Sequence, residues 1–336
     1  MTEIINTIVC PIVRRDYVLD ALRSLRQWTP PNFKVVVVDQ TQPDWEFSAR
    51  LWELADVVVK PHLNYGFSGA VNLGIDMART EYVTVMNDDV QFIGGHDWWA
   101  GIMATFERFD TAAAVNAQSP KEPGWGWAEP GYRYHVPKQW PDEELQRLGA
   151  HDRELQTAFR KVRLEAHALR TEDGDPDRLA DLDDRLDELR AEMLATRAEL
   201  EPLVYDAVMH APGYVEMLTE DFNWAVVDGF PCWLPVFKRE ILVEEVGLFD
   251  ERFSAGGEDY DATARAYQAG YRMLSSSQAW TWHWWGQSKD RADGLAHALP
   301  RARPPWNKIR QLWSPDLDVW GRDCERIDPE VKRFPL

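Results

Sequence analysis

Lys34-Val35-Val36-Val37-Val38-Asp39 is a continuous β-branched run closed by a carboxylate. A strand with one wet face places a polar residue at every second position. This run does not, so both of its faces are expected to be buried. The neighbouring sequence supplies the covering layers. Ile4 to Val9 is a second short apolar run, ending at Pro11. Tyr17 to Trp28 has helical spacing, with Val18, Leu22 and Leu25 on one face. The pattern then predicts a helix over Trp45–Leu54, a strand over Asp56–Val59, a helix over Gly69–Ala78 and a strand over Tyr82–Met86. Strand and helix alternating at this rhythm predict an α/β fold, a mostly parallel sheet with right-handed crossovers. In such sheets ligands bind beyond the carboxyl ends of the strands. Asp39 and Asn87-Asp88-Asp89 each lie just past a strand end, so one rim is expected to carry both.

Further along, Trp98 to Phe109 reads as a helix and Ala112 to Asn116 follows it; Pro120 to Pro137 is a loop rich in Gly, Pro and Trp. Composition shifts at about Pro141. From there to about Val208 the chain is charged and rich in Leu, Ala and Arg, with one break at 171–177. Leu179, Leu182, Leu186, Leu189 and Met193 recur at steps of three and four, predicting two amphipathic helices in an antiparallel hairpin. Such a hairpin serves as a solvated insertion, a dimerisation arm or an acceptor-docking arm. The β/α style resumes at Phe222. Short helices are expected over Lys238–Val246 and Asp261–Ala269, edge strands over Arg272–Leu274 and Ala279–Trp282, and a surface wrap beyond Pro300.

Of 336 residues 45% are hydrophobic, enough for a sizeable core, and the net charge is −19. An acidic chain is repelled by phosphate backbones, which argues against nucleic acid as partner; the 301–310 stretch is locally basic. The three cysteines, Cys10, Cys232 and Cys324, are widely spaced without a CxxC pair, which fits a reduced, cytoplasmic setting. No basic and apolar leader opens the chain, and no apolar stretch approaches the roughly 20 residues that span a bilayer. Seventeen tryptophans are many for this length. They either fill the core or offer flat faces on which sugar rings stack.

Several short clusters carry chemistry. Asp39 can accept hydrogen bonds from a base N–H or a ribose hydroxyl, although many α/β strands end in Asp. Asn64-Tyr65-Gly66-Phe67-Ser68-Gly69-Ala70-Val71-Asn72-Leu73-Gly74 is a Gly-rich lead into a helix whose N-terminus favours an anion; it lacks the Lys and spacing of a P-loop, and helix capping explains it equally well. Asn87-Asp88-Asp89 offers hard oxygen ligands to Mg2+ or Mn2+, or is a solvated turn. His283 would add an imidazole, a ligand that favours Mn2+. Glu258-Asp259 follows Gly256-Gly257 at a predicted helix start, where the positive helix end keeps carboxylates ionised. An ionised carboxylate facing a hydroxyl is a general base; helix capping is the plain alternative. A divalent cation, a diphosphate and a base gathered at one site are the needs of sugar transfer from a nucleotide sugar.

The ordered set resembles family 2 glycosyltransferases of the GT-A fold, especially the rhamnosyl- and galactofuranosyltransferase-like branch. Thr7-Ile8-Val9-Cys10-Pro11 resembles the opening strand, and Val35 to Asp39 the strand whose Asp meets the base. The 64–74 stretch resembles the donor-side loop and helix, and Met86-Asn87-Asp88-Asp89 the metal-binding DXD segment. Glu245 to Phe253 and Gly257-Glu258-Asp259-Tyr260-Asp261 resemble the acceptor-side segment with its ED pair. His283-Trp284-Trp285-Gly286-Gln287-Ser288 resembles the terminal His-x-x-Gly-x-Ser. The likeness covers about residues 4–118 and 222–290.

The resemblance implies a mixed GT-A sheet with an inserted hairpin. Its organisation would be a nucleotide-sugar-binding half (1–118), a Trp/Gly/Pro-rich loop (119–140), the hairpin (141–210), an acceptor-binding half (211–300) and a tail (301–336). It implies a metal-dependent, inverting transferase using a UDP- or dTDP-sugar. The acceptor would be a glycan, a lipid-linked saccharide or a small molecule. The hairpin has no counterpart in the resemblance, and its own pattern is what makes it a candidate arm for a homodimer. Asp259 would be the base and Glu258 would orient the acceptor, with Trp233 and Trp284 beside it. Asp89 and His283 would hold Mn2+ or Mg2+. Pro11, Arg14, Asp39, Asn64, Gly66, Asn72, Asn87 and Asp88 would line the donor. Two departures stand out: Asn87 occupies the first DXD position, and Ile12-Val13-Arg14-Arg15 replaces the usual Tyr-Asn pair. They keep two rivals open, a catalytically silent nucleotide-sugar-binding protein and a nucleotidyltransferase.

Overall fold

A computed structural model describes residues 3–30, 32–123, 132–171, 175–211, 213–222, 226–228, 233–251, 258–284 and 331–333. Two compact units emerge, one of residues 1–118 with 222–336, the other of residues 119–221.

In the first unit β1 (Asn6–Ile12), α1 (Val18–Trp28), β2 (Phe33–Asp39), α2 (Trp45–Leu54), β3 (Val57–Val59), α3 (Gly66–Met77) and β4 (Tyr82–Val85) follow one another as the sequence predicts. β3, β2, β1 and β4 lie side by side, all parallel. Alternate residues of β1 and β2 feed opposite layers. Ile8, Cys10, Ile12, Val35 and Val37 join α1 and α2 in one core, while Val9 and Val38 join α3 in the other. This is the double burial that the Val run demands. Gly74 brings α3 onto the sheet, since a Cβ there would lie 2.2 Å from Val9 Cγ1.

β5 (Val90–Phe92), α4 (Trp98–Arg108), β6 (Ala112–Gln118), β9 (Val226–Asp228), β10 (Pro235–Lys238), a π-helical turn (Ile241–Val246), α8 (Glu258–Gln268), β11 (Arg272–His283) and β12 (Val331–Arg333) complete the described part of the unit. Beyond β4 the pairing is mixed, with β10 antiparallel to both β4 and β6 but β11 parallel to β6. The order across the sheet is β12-β9-β11-β6-β10-β4-β1-β2-β3, with β5 on β11. The result is a mixed sheet flanked by helices, a GT-A-like fold.

Three expectations change. The two edge strands expected over 272–282 are one twelve-residue strand, β11, inside the sheet between β6 and β9. Its register slips between Ser276 and Trp280, and that irregular stretch concealed the continuity. The helix expected over Lys238–Val246 is there, but it starts after Lys238, the last residue of β10, and its body is a π-helical turn. α3 starts at Gly66 rather than Gly69, because Gly66 takes φ 73° and its N–H reaches Asn64 Oδ1 at 2.8 Å. Of the tail, only β12 falls within the described residues.

In the second unit β7 (Lys121–Pro123) pairs with β8 (Tyr132–Tyr134), and α5 (Glu143–Thr171), α6 (Pro176–His210) and α7 (Tyr214–Phe222) follow. The ion pairs His151–Glu192 and Asp152–Arg197 join the first part of α5 to the later part of α6, and Glu165–Arg178 and Arg170–Asp183 join the end of α5 to the start of α6, so these helices run antiparallel. Leu155, Phe159, Leu182, Leu186, Leu189 and Met193 fill the seam. Asp152 and Arg197 are buried within it. Among the described residues no helix is long and apolar enough to cross a membrane.

The slip in β11 leaves backbone groups that need partners. α4 lies so close there that a Cβ on Gly101 would fall 2.0 Å from the Gln278 carbonyl oxygen. The Trp280 N–H donates to His96 Nε2 at 2.9 Å, which requires a neutral imidazole. Burial holds the His96 pKa down, to about 4 from 6.5. A depressed histidine contributes stability above its unfolded value and loses it as pH falls toward the folded value. The melting temperature should therefore drop between pH 6.5 and 4. His96→Gln, which keeps an acceptor without a titrating ring, should flatten that drop in differential scanning fluorimetry; an unchanged slope would show that other groups control it.

Candidate active site

β1, β2 and β4 end at one rim, and residues far apart in sequence meet there. β4 runs into Asn87-Asp88-Asp89, and β11 ends at His283 opposite Val90 of β5. The Trp284 N–H donates to the Asp89 carbonyl at 3.0 Å, and the Asn87 N–H to the Trp233 carbonyl at 2.9 Å. This backbone lacing brings His283 Nε2 to 2.8 Å from Asp89 Oδ1, although the residues are 194 positions apart. Both side chains are buried, at 3% and 4% exposure. The Asn87 amide nitrogen lies 3.4 Å from the same imidazole nitrogen. Trp233 stacks on the His283 ring, centroids 5.6 Å apart and planes 16° from parallel. Trp284 packs against Tyr17 and Trp282.

The acidic turn is electrostatically loaded. Burial and then the neighbouring Asp89 push the Asp88 pKa up to about 8, against the opposing pull of Arg14. Cys10, on β1, has its thiol pKa raised by burial and then by the charges of Asp88 and Asp89. A divalent cation would relieve this crowding. Adjacent ligands of an octahedral ion at about 2.1 Å stand about 3 Å apart, close to the Asp89–His283 separation. Among the described residues no group of three His, Cys, Asp or Glu side chains could hold a metal ion.

Along the same rim, Asp39 is fully buried. Its Oδ1 accepts from the Thr41 N–H at 2.9 Å and the Thr41 hydroxyl at 2.7 Å, and its Oδ2 from Lys60 Nζ at 2.8 Å. Gln40 Oε1 accepts from the Tyr65 N–H and Gln40 Nε2 donates to the Gly66 carbonyl. Pro11 faces Val38 in the β1–β2 register, beyond Val9, the last β1 residue paired with β4, so its missing N–H leaves that ladder intact.

Asn72 has another duty. Its Nδ2 donates to the Phe249 carbonyl at 2.8 Å and its Oδ1 accepts the Phe249 N–H at 3.0 Å. Its amide thus ties α3 to the 247–251 segment. Arg265, paired with Asp261, holds the other end of that segment through the Val246 and Gly247 carbonyls. Glu258 and Asp259 open α8, in its first turn rather than ahead of it, with Glu258 the more buried. Gly256, Gly257, Gly286 and Ser288 lie outside the described residues. The sequence reading missed the Thr41–Lys60 cradle around Asp39 and the Trp233 stack. A lysine directly after β3 was the available signal for the first; nothing local pointed to the second.

Residues 7–167 match the family described as Glycosyl transferase family 2. The matched stretch covers just under half of the chain. It contains the Asp39 cradle and the acidic turn, and ends within α5. No curated protein matches. Among solved structures, S. aureus TarS aligns at 12% identity and TM-score 0.43, covering 83% of this chain and 36% of that one. TarS 1-349 in complex with UDP aligns at 12% and 0.44, covering 83% and 60%. GalNAc-T7 with UDP, GalNAc and Mn2+ aligns at 12% and 0.47, covering 96% and 58%. The chain thus spans between about a third and three fifths of the length of these proteins.

Asn72→Ala removes partners from both buried backbone groups of Phe249. An unsatisfied buried polar group costs about 1–3 kcal/mol, so a loss of about 2–4 kcal/mol is expected in urea unfolding. Undiminished stability would show that the tie is dispensable.

Proposed function

We propose that the chain transfers a sugar from a nucleoside-diphosphate donor, UDP- or dTDP-linked, to an acceptor hydroxyl with inversion at the anomeric carbon. The observation that carries this reading is the meeting of Asp89 and His283 beside Asn87 and Asp88 at the carboxyl rim, within a fold whose first half matches the family. Asp39, steadied by Thr41 and Lys60, would take the N–H of a uracil or thymine ring. Asn64 and Gly66 would shape the donor side of the cleft. Asp89 and His283 would hold Mn2+ or Mg2+, which supplies charge neutralisation to the diphosphate when bound. Trp233, buried against His283, would steady that ring from behind, and Trp284 would stand toward the acceptor.

In the reaction the acceptor oxygen forms a bond to the anomeric carbon while Asp259 takes its proton. The bond from that carbon to the phosphate oxygen breaks, and its electron pair leaves with the diphosphate. Glu258 would orient the acceptor, a glycan, a lipid-linked saccharide or a small molecule. The rhamnosyl- or galactofuranosyl-like branch, a cytoplasmic setting and pairing of two copies through residues 141–210 belong to the same reading. Its support is the ordered motif set and the antiparallel helices of the second unit.

A thermal-shift panel of UDP-, dTDP- and GDP-sugars, with and without Mn2+, reads base and metal together, because a bound ligand raises the melting temperature by mass action. Asp259→Asn should cut transfer by about a hundredfold or more, the usual share of a general base, while donor affinity holds. Asp89→Asn should remove the Mn2+-dependent part of the donor shift. Donor binding without any turnover in the unchanged chain would favour the silent binder. Absence of a shift with every nucleotide sugar would sink both.

A further inference from the structure

The segments leaving β1, β2 and β3 at the carboxyl rim carry three cationic side chains, Arg14, Arg15 and Lys60. Two are engaged inside the protein. Arg15 donates to Asp44 Oδ2 at 2.6 Å and to the Gln42 carbonyl, and its guanidinium lies over the Phe47 ring. Lys60 donates to Asp39 Oδ2 and to the Thr41 carbonyl. Arg14 differs. Its Nη2 is buried and has no hydrogen-bond partner among the described residues. The guanidinium is near enough to Asp88 for its charge to act on that carboxylate. A charged nitrogen shielded from water without an acceptor is a costly arrangement, relieved when an acceptor is brought in.

Asn87 bears on the same point. Its Oδ1 is buried and also without a partner among the described residues. As an amide it brings no negative charge to the turn, so the turn attracts a cation less strongly than three carboxylates would. The rim therefore carries a fixed positive charge beside a turn that attracts a cation less strongly.

We propose that Arg14 binds the donor's diphosphate directly, so that the chain holds a diphosphate even without a divalent cation. A guanidinium is always charged and its planar fork matches two phosphate oxygens at once. As the sugar departs and the electron pair moves onto the phosphate oxygen, Arg14 stabilises that charge through N–H hydrogen bonds and transfers no proton. The inference rests on the proposed function, since it presumes a nucleoside-diphosphate donor.

Isothermal titration of the full chain, Arg14→Gln and Arg14→Lys tests it, with UDP, dTDP, GDP, their nucleosides and inorganic pyrophosphate, in chelator and in Mn2+. In chelator the unchanged chain should bind pyrophosphate and at least one nucleoside diphosphate. Arg14→Gln should weaken both by about tenfold or more, the value of a charge-assisted contact, and leave nucleoside binding unaltered. Arg14→Lys keeps the charge without the fork and should fall between the two, which preserves the test if the glutamine variant fails to fold. Equal diphosphate affinity in Arg14→Gln and the unchanged chain overturns the inference. So does diphosphate binding by the unchanged chain that needs Mn2+. If no nucleotide binds even with Mn2+, the proposed function itself falls, a distinguishable result.

Discussion

The contact between Asp89 and His283 organises the site. Two ionisable side chains buried in an interior would each be destabilising alone; 2.8 Å apart, each satisfies the other. The pairing is built into the backbone, because β5 lies antiparallel on the end of β11 and Trp284 donates to the Asp89 carbonyl. The acidic turn after β4 is thereby fastened to a strand from the far end of the chain. The same geometry that completes the sheet brings an acid and an imidazole into contact at the rim.

Much of the remaining structure steadies this junction. β11 is irregular in its middle, and α4 approaches there so closely that Gly101 has no room for a side chain. His96 takes the N–H of Trp280, three residues before His283. On the opposite side of the sheet, Asn72 and Arg265 grip the segment between the π-helical turn and Glu251, which leads toward α8 and its two acids. The residues that satisfy irregular backbone also hold the strand that ends at His283.

Charge is distributed unevenly around the rim. The chain is strongly acidic overall, and at the rim burial, and after it the charge of Asp89, raises the Asp88 pKa. An anionic ligand can enter such a rim only where positive charge is supplied. Lys60 is committed to Asp39, and Arg15 to Asp44. These fixed pairs leave Arg14 as the rim cation whose Nη2 has no hydrogen-bond partner among the described residues.

The parallel half of the fold was legible in sequence because its determinants are local. Unbroken β-branched runs need two covering layers, helical spacing identifies those layers, and a carboxylate after a strand must lie at the rim. The Leu steps from 179 to 193 specified a helical pair for the same reason. Features set by distant partners were not legible. β11 read as two edge strands because its register slip breaks the local pattern, and its place inside the sheet depends on β6 and β9. Trp233 read as an acceptor contact, yet it is buried against His283; the tryptophan itself carries no sign of which ring it will meet. Asn72 read as a donor ligand, and folding assigns its amide to Phe249. The sequence by itself determined which residues stand at strand ends, since that follows from periodicity and strand length. Only tertiary structure decided which of them touch, because those contacts come from the register between strands that are remote along the chain.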